Sequence, residues 1–251
     1  MNDGEIHTWL LVIIHEHRLD KPWTQQEFFV WIQTQDTRYE FDGFQPVAMA
    51  SGNIAHSRVT RGLHRALNSR LLGGPYEPLG PDAGIDTIDK AVRFPDALVT
   101  YARVEHSFYV VPGVVAVFEV LSPTSGPIDR IVKVREYAVV PSILRYVILE
   151  SSSVKLTVME RADGDDPWTT TALTNGDILR MPEISVEIPV AEIYEGIAFP
   201  DEEDGTAQGR PAKRIPIWCA QSPRSAGFRV GTGFAKNLLH EPRALIADAT
   251  A

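Results

Sequence analysis

The chain has 251 residues, 44% hydrophobic and 23% charged, with a formal net charge of −9. That is the make-up of an ordinary globular protein, long enough to bury a sizeable core in one large domain or two small ones. The single cysteine, Cys219, excludes an intramolecular disulfide framework and a cysteine-based zinc site, and makes a reducing cytoplasm the expected compartment. The charge is uneven. Residues 206–251 hold seven Lys/Arg against two Asp/Glu, whereas residues 1–205 hold 17 against 31. An acidic body argues against strong, non-specific DNA binding by that body alone, because phosphate neutralisation supplies such affinity. It leaves room for a local acidic metal cleft.

In chain order, "WLLVIIHEH" (9–17) has only six consecutive apolar residues, preceded by Asp3 and Glu5 rather than a basic stretch. It is too short to span a bilayer and a poor signal peptide, so it reads as a short strand or helix, or an ill-fitting leader, in an N-terminal extension over residues 1–22. "PWTQQEFFVWIQTQ" predicts a helix with Thr24 as N-cap and Glu27 three residues on, a capping-box pattern. "RYEFDGFQPVAMA" predicts two short extended runs turning at Asp42-Gly43. "NIAHSRVTRGLHRALNSRLLGG" is the clearest helix, with Val59, Leu63, Ala66, Leu67 and Leu71 as its apolar stripe and Gly73-Gly74 as its stop.

Residues 75–92, rich in Gly, Pro and Asp, predict a strand with loops. "AVRFPDALVTY" and "VPGVVAVFEVLS" each predict one strand, the second apolar enough to be buried on both faces. "PIDRIVKVREYAV" is a helix ending before Pro141, "ILRYVILE" a central strand, and "SSVKLTVMERADGDDPWTTTAL" a hairpin turning at Asp163-Gly164. "ISVEIPVAEIYEGI" closes a domain over residues 23–198 with a strand and a short helix. Residues 199–251 are expected to be a linker and a poorly ordered basic tail, with at most one short helix around 234–247.

Two strand carboxylates stand out. Asp96 follows Pro95, where a ladder donor is missing, and Glu119 sits in an almost wholly apolar run where a charge needs a partner. If the two strands are neighbours, the carboxylates meet at one end of the sheet. Such a pair suits Mg2+ or Mn2+, because Mg2+ takes one or two carboxylates and keeps several waters. On the next helix Asp129, Lys133 and Tyr137 follow at four-residue spacing on one face, and a lysine aimed at the carboxylates could position a water or stabilise developing negative charge. Each residue also has a structural reading: Asp96 as an exposed edge residue, Glu119 as half of an ion pair, Lys133 with Asp129 as a solvated helix pair. Ser122 and Ser125 have no base within motif distance, and "RPAKR" (210–214) reads as a linker charge run before a nucleic-acid contact. No glycine-rich phosphate loop, G-x-S-x-G elbow or H-E-x-x-H pair occurs.

A Pro-Asp followed by a strand glutamate 23 positions on resembles the PD-(D/E)XK nuclease superfamily, although the usual Glu-X-Lys lysine is replaced here by Leu121. "RYEFDG", "VAMASGNIAHSRV", "RFPDALV", "FEVLSP", the Asp129-Lys133-Tyr137 helix and "NGDIL", in that order, look like the Uma-two family of restriction-endonuclease-like proteins, over about residues 24–198. That family ends its strand with Glu-Val-Leu-Ser-Pro and carries its lysine on the following helix. The resemblance implies an α/β (α+β) fold with a restriction endonuclease-like core. This is a helix-strand-strand-strand-helix-strand mixed sheet flanked by helices, with an extra N-terminal helix and hairpin and a C-terminal hairpin. It implies a Mg2+-dependent endodeoxyribonuclease, possible as a homodimer, with Asp96 and Glu119 on the metal and Lys133 as the third catalytic residue. His56, Glu40, Asp129 and Tyr137 are its accessory candidates; Glu40 also reads as structural, and no role is carried onto Phe44 and Gln45, where the family has glutamate after Asp-Gly. The alternative is a nuclease fold kept as a non-catalytic binding module.

Overall fold

The computed structural model describes residues 21–121 and 127–199, the second stretch with side chains from Ile131 onward. The readings of residues 1–20, of Ser122 and Ser125, of the Asp129 side chain and of residues 200–251 lie outside the described residues.

Helix α1 (Gln25–Ile32) starts where Thr24 and Glu27 cap each other reciprocally, satisfying two of the donors that a helix start leaves open. It packs Phe28 against Phe41 and Val92 in a small aromatic core. That core covers a four-stranded antiparallel sheet ordered β2-β1-β5-β4, built from β1 (Tyr39–Phe41), β2 (Pro46–Ala48), β4 (Ile85–Asp86) and β5 (Val92–Arg93). The β1–β2 turn is closed by Asp42, which accepts from the amides of Phe44 and Gln45, with Gly43 at positive φ.

The main sheet has six strands in the order β10-β9-β8-β7-β6-β3. They are β3 (Glu77–Leu79), β6 (Ala97–Thr100), β7 (Val114–Leu121), β8 (Arg145–Glu150), β9 (Lys155–Glu160) and β10 (Thr169–Thr174). All pairings are antiparallel except β7–β8, whose parallel register requires a crossover; helix α3 (Pro127–Ala138) provides it. Helix α2 (Ile54–Leu71) buries Val59, Leu63, Ala66, Leu67 and Leu71, the stripe expected from its sequence, on the sheet face formed by Ala97, Val99, Ala116, Phe118 and Val120. The other face carries Leu98, Val117 and Ile148 against Tyr137 of α3. Strand β7 is therefore buried on both sides, and its side chains alternate between the two helices. A hairpin of β11 (Ile178–Met181) and β12 (Val186–Pro189), followed by helix α4 (Val190–Ile193), closes the α2 side.

The order of helices and strands is the mixed α/β arrangement expected for the core. Some elements differ: residues 75–92 hold two short strands, β3 and β4, where the sequence predicts one, and β11 is an additional strand. "AVRFPDALVTY" is not a single strand: β5 ends at Arg93, β6 begins at Ala97, and the two belong to different sheets. Pro95 lacks the amide that would continue a ladder, so the chain changes sheets over Phe94-Pro95-Asp96. Among the described residues, no helix is long and apolar enough to cross a membrane.

Gly62 lies where α2 crosses α4, and a side chain there would overlap the carbonyl oxygen of Ile193. Alanine favours a helix interior over glycine by about 1 kcal/mol. Gly62→Ala should nevertheless lower the unfolding free energy, by about 1–3 kcal/mol, because overpacking outweighs propensity. Urea denaturation reads this directly; an unchanged or higher midpoint would mean that the two helices have slack at their crossing.

Candidate functional site

The β6–β7 register pairs Ala97 with Phe118 and Leu98 with Val117, so one step further Asp96 stands opposite Glu119. Both line a cavity of about 300 Å3 together with Arg38, Glu40, His56, Arg93 and Lys133. The cavity opens at the seam where Pro95 takes the chain from one sheet to the other.

Asp96 is held by one oxygen. Its Oδ2 accepts from the Val120 amide at 2.7 Å and lies 3.2 Å from His56 Nε2. His56 is in the first turn of α2, whose N-cap Asn53 accepts from the His56 amide. Two turns on, His64 Nε2 lies 3.0 Å from the Asp96 carbonyl oxygen. Glu119 is likewise held by one oxygen: Oε1 accepts from Lys133 Nζ at 2.9 Å and from the Tyr137 hydroxyl at 3.0 Å. Lys133 and Tyr137 are four apart on α3 and so reach the same point. The lysine is not a solvated partner for its own helix but is directed into the cavity.

Glu40 lies on β1 and faces the same cavity. Its Oε1 accepts from Lys133 Nζ at 3.1 Å, and its Oε2 from Arg93 at 3.2 Å. Arg93 in turn makes a two-pronged ion pair with Glu136 of α3, at 2.5 and 2.6 Å. Buried charges thus alternate in sign along Glu119, Lys133, Glu40, Arg93 and Glu136. Lone burial of any of them would be costly, and breaking such a pair costs about 3–5 kcal/mol. At its other end α3 is tied down by Arg161, whose guanidinium donates to the carbonyls of Ala138, Val140, Ile143 and Gly164 at 2.5–2.8 Å.

The protonation states follow from this packing. Burial pushes the Glu119 carboxyl upward, Lys133 opposes that push, and Asp96 and Glu40 add to it. Burial works against the charge on Lys133, but Glu119 and Glu40 outweigh it and hold the ammonium above the usual lysine range. Lys133 is therefore a fixed positive charge and a hydrogen-bond donor, not a base. Burial, reinforced by Glu119, raises the Tyr137 hydroxyl well above its ordinary range. The hydrogen bond to Asp96 raises the His56 imidazole, against the opposing effects of burial and Arg38.

The donor set fits a divalent cation. Asp96 Oδ1 and Glu119 Oε2 accept no hydrogen bond from described residues. The cavity wall and Glu136 behind it present Glu40, Asp42, Asp96, Glu119 and Glu136 against Arg38, Arg93 and Lys133, an excess of two negative charges when His56 is neutral. Among the described residues no group of three or more acidic, histidine or cysteine side chains is placed to hold a metal ion by itself. Two carboxylates and an open cavity match a cation that keeps several of its waters.

Sequence reasoning singled out Asp96, Glu119, Lys133, His56, Glu40 and Tyr137, and the fold brings these six together. It did not single out Arg93, Glu136, Arg38 or His64. A signal existed for Arg93, a charge inside "AVRFPDALV", and for Glu136, three residues from Lys133 on the same helical face.

A family model described as "Putative restriction endonuclease", Uma2, matches residues 25–191. An uncharacterized protein of Synechocystis sp., slr1290, is 30% identical over 178 residues, covering 69% of this chain and 92% of the relative. The crystal structure of a protein from Anabaena variabilis, described as a putative nuclease belonging to DUF820, matches with a TM-score of 0.55 over 69% of this chain and 98% of that one. Their identity is 12%, so this likeness is one of fold.

The imidazole shift has a consequence for stability. A raised native pKa means that the charged His56–Asp96 contact contributes fully below the unfolded histidine value of about 6.5 and is lost as pH rises through the native value. The destabilisation caused by His56→Gln should therefore be larger at pH 6 than at pH 8.5. Urea midpoints for both proteins at the two pH values check this; equal differences would show that the contact with Asp96 does not raise the imidazole, and a smaller effect at pH 6 would show that the fold keeps it uncharged.

Proposed function

The chain belongs to the Uma2 family, and from that premise we propose that it is a divalent-cation-dependent nuclease hydrolysing DNA phosphodiester bonds. The observation that carries the reading is the convergence of Asp96, Glu119 and Lys133, from two strands and a helix, on one cavity where two carboxylate oxygens accept no hydrogen bond from described residues.

Asp96 and Glu119 would hold Mg2+ or Mn2+. When bound, such an ion supplies Lewis-acid polarisation of a phosphoryl oxygen and makes water a better nucleophile at neutral pH. The chain's own residues do the rest. Lys133, kept as an ammonium by Glu119 and Glu40, places a fixed positive charge where negative charge accumulates as the phosphorus is attacked. Tyr137 and Glu40 position that lysine and its carboxylate partner. His56 orients Asp96 from the cavity mouth. A homodimer would present one such cavity to each strand of a duplex.

Asp96→Asn and Glu119→Gln should each abolish Mg2+-dependent cleavage of duplex DNA and remove the heat of Mn2+ binding in calorimetric titration. Both variants keeping wild-type cleavage would overturn the site. Lys133→Ala should still bind Mn2+ but lose about 10²–10³ in kcat, the scale of one preorganised electrostatic contact. Wild-type protein that neither bound metal nor cleaved nucleic acid would return the fold to a non-catalytic binding module.

A further inference from the structure

Besides His56, three cations line the Asp96–Glu119 cavity, and one of them stands apart. Arg93 is held between Glu40 and Glu136, and Lys133 between Glu40 and Glu119. Arg38 has no carboxylate partner among the described residues. One of its terminal N–H groups donates to the Pro81 carbonyl, a neutral acceptor, and its other donors have no described partner. A guanidinium carries five N–H donors in a rigid fork, so most of this one is uncommitted. The residue is exposed, which sets it at the cavity mouth, whereas the Lys133 side chain is mostly covered inside.

Its place is fixed by the strand. The Met49 amide donates to the Arg38 carbonyl at 2.9 Å, which carries the β1–β2 ladder one pair beyond Tyr39–Ala48. Residues two apart on such a ladder point to the same face. Arg38 therefore shares the cavity side with Glu40, while Tyr39 between them turns away and packs against Trp31. The Arg38 charge is felt at His56, whose protonation it opposes, and His56 Nε2 lies 3.2 Å from Asp96 Oδ2. The cavity wall and Glu136 hold five carboxylates against three cations when His56 is neutral. The two charges of one divalent cation would balance that excess only because Arg38 is among the three. Without it a residual negative charge would repel an incoming phosphodiester. With it, the mouth presents a guanidinium, which pairs with phosphate oxygens two at a time.

We propose that Arg38 is a substrate-binding residue that grips a phosphodiester of the DNA backbone at the mouth of the Asp96–Glu119 cavity. The proposal rests on the nuclease reading and adds the cation by which substrate is held, separate from the carboxylates and from Lys133.

The test uses the full chain and Arg38→Gln, which keeps an N–H donor for Pro81 but removes the charge. Binding of a fluorescent DNA duplex of about 30 base pairs is measured with Ca2+ across a range of NaCl concentrations, alongside Mg2+-dependent cleavage. Loss of one phosphate contact should reduce the slope of log affinity against log salt by about 0.9. Affinity at low salt should fall about tenfold, the scale of one charge-assisted hydrogen bond. KM should rise with kcat retained, Mn2+ should bind no more weakly, and the urea midpoint should not move. Arg38→Lys should restore the slope, which a purely structural role would not require. An unchanged slope and affinity in a protein that still cleaves duplex DNA would discard Arg38 and leave the nuclease reading standing. A lower urea midpoint in Arg38→Gln, with no rescue by lysine, would assign Arg38 to holding the Pro81 loop and overturn the proposal. A loss confined to kcat would put Arg38 on the reacting atoms and overturn its place at the mouth. Wild-type protein that neither binds nor cleaves DNA would overturn both readings.

Discussion

The architecture around the cavity depends on one electrostatic constraint: a carboxylate, Glu119, stands near the end of a strand buried on both faces. A bare charge in that position would be expelled or neutralised. Here α3 resolves the problem by delivering Lys133 and Tyr137 to one carboxylate oxygen. The lysine in turn needs a second counter-charge, which Glu40 supplies, and Glu40 shares Arg93 with Glu136 of the same helix. Solvating one carboxylate thus fixes the position of α3, of strands β1 and β5 of the smaller sheet and of the end of β7 relative to each other. Among the described residues the same network leaves one oxygen of Glu119 without a hydrogen-bond donor, and with His56 neutral the described cavity wall keeps an excess of negative charge.

A second constraint is the missing amide of Pro95. A continuous strand would have buried Asp96 in a ladder, with its carboxylate on a covered face. Breaking the strand moves the aspartate to a seam between two sheets, where α2 can bring His56 to the side chain and His64 to the backbone. The strand break and the buried glutamate are complementary. One opens the sheet where the other holds a charge, and the antiparallel register places them opposite each other.

Much of this was legible in the chain itself. The apolar stripe of α2, the capping box of α1 and the Asp42-Gly43 turn are local patterns, and their physics acts within a few residues. Asp96 and Glu119 were visible because a charge in an apolar strand is conspicuous. Arg93 carried the same signal but was hidden by its neighbour, since "RFPD" draws attention to the proline and the aspartate. His64 gave no signal, because its partner is a backbone carbonyl 32 residues away.

By itself the sequence determined the periodicities, hence which residues form helices and strands, and it placed two carboxylates and a lysine in an order that matches a known family. Only the tertiary structure decided that Lys133 faces the carboxylates instead of solvent and that Glu40 belongs to the cavity. The reason is physical. Helix and strand periods are set by neighbours a few residues apart, whereas the partner of a buried charge is set by which elements pack together. The β7–β8 crossover and the change of sheet at Pro95 made that choice.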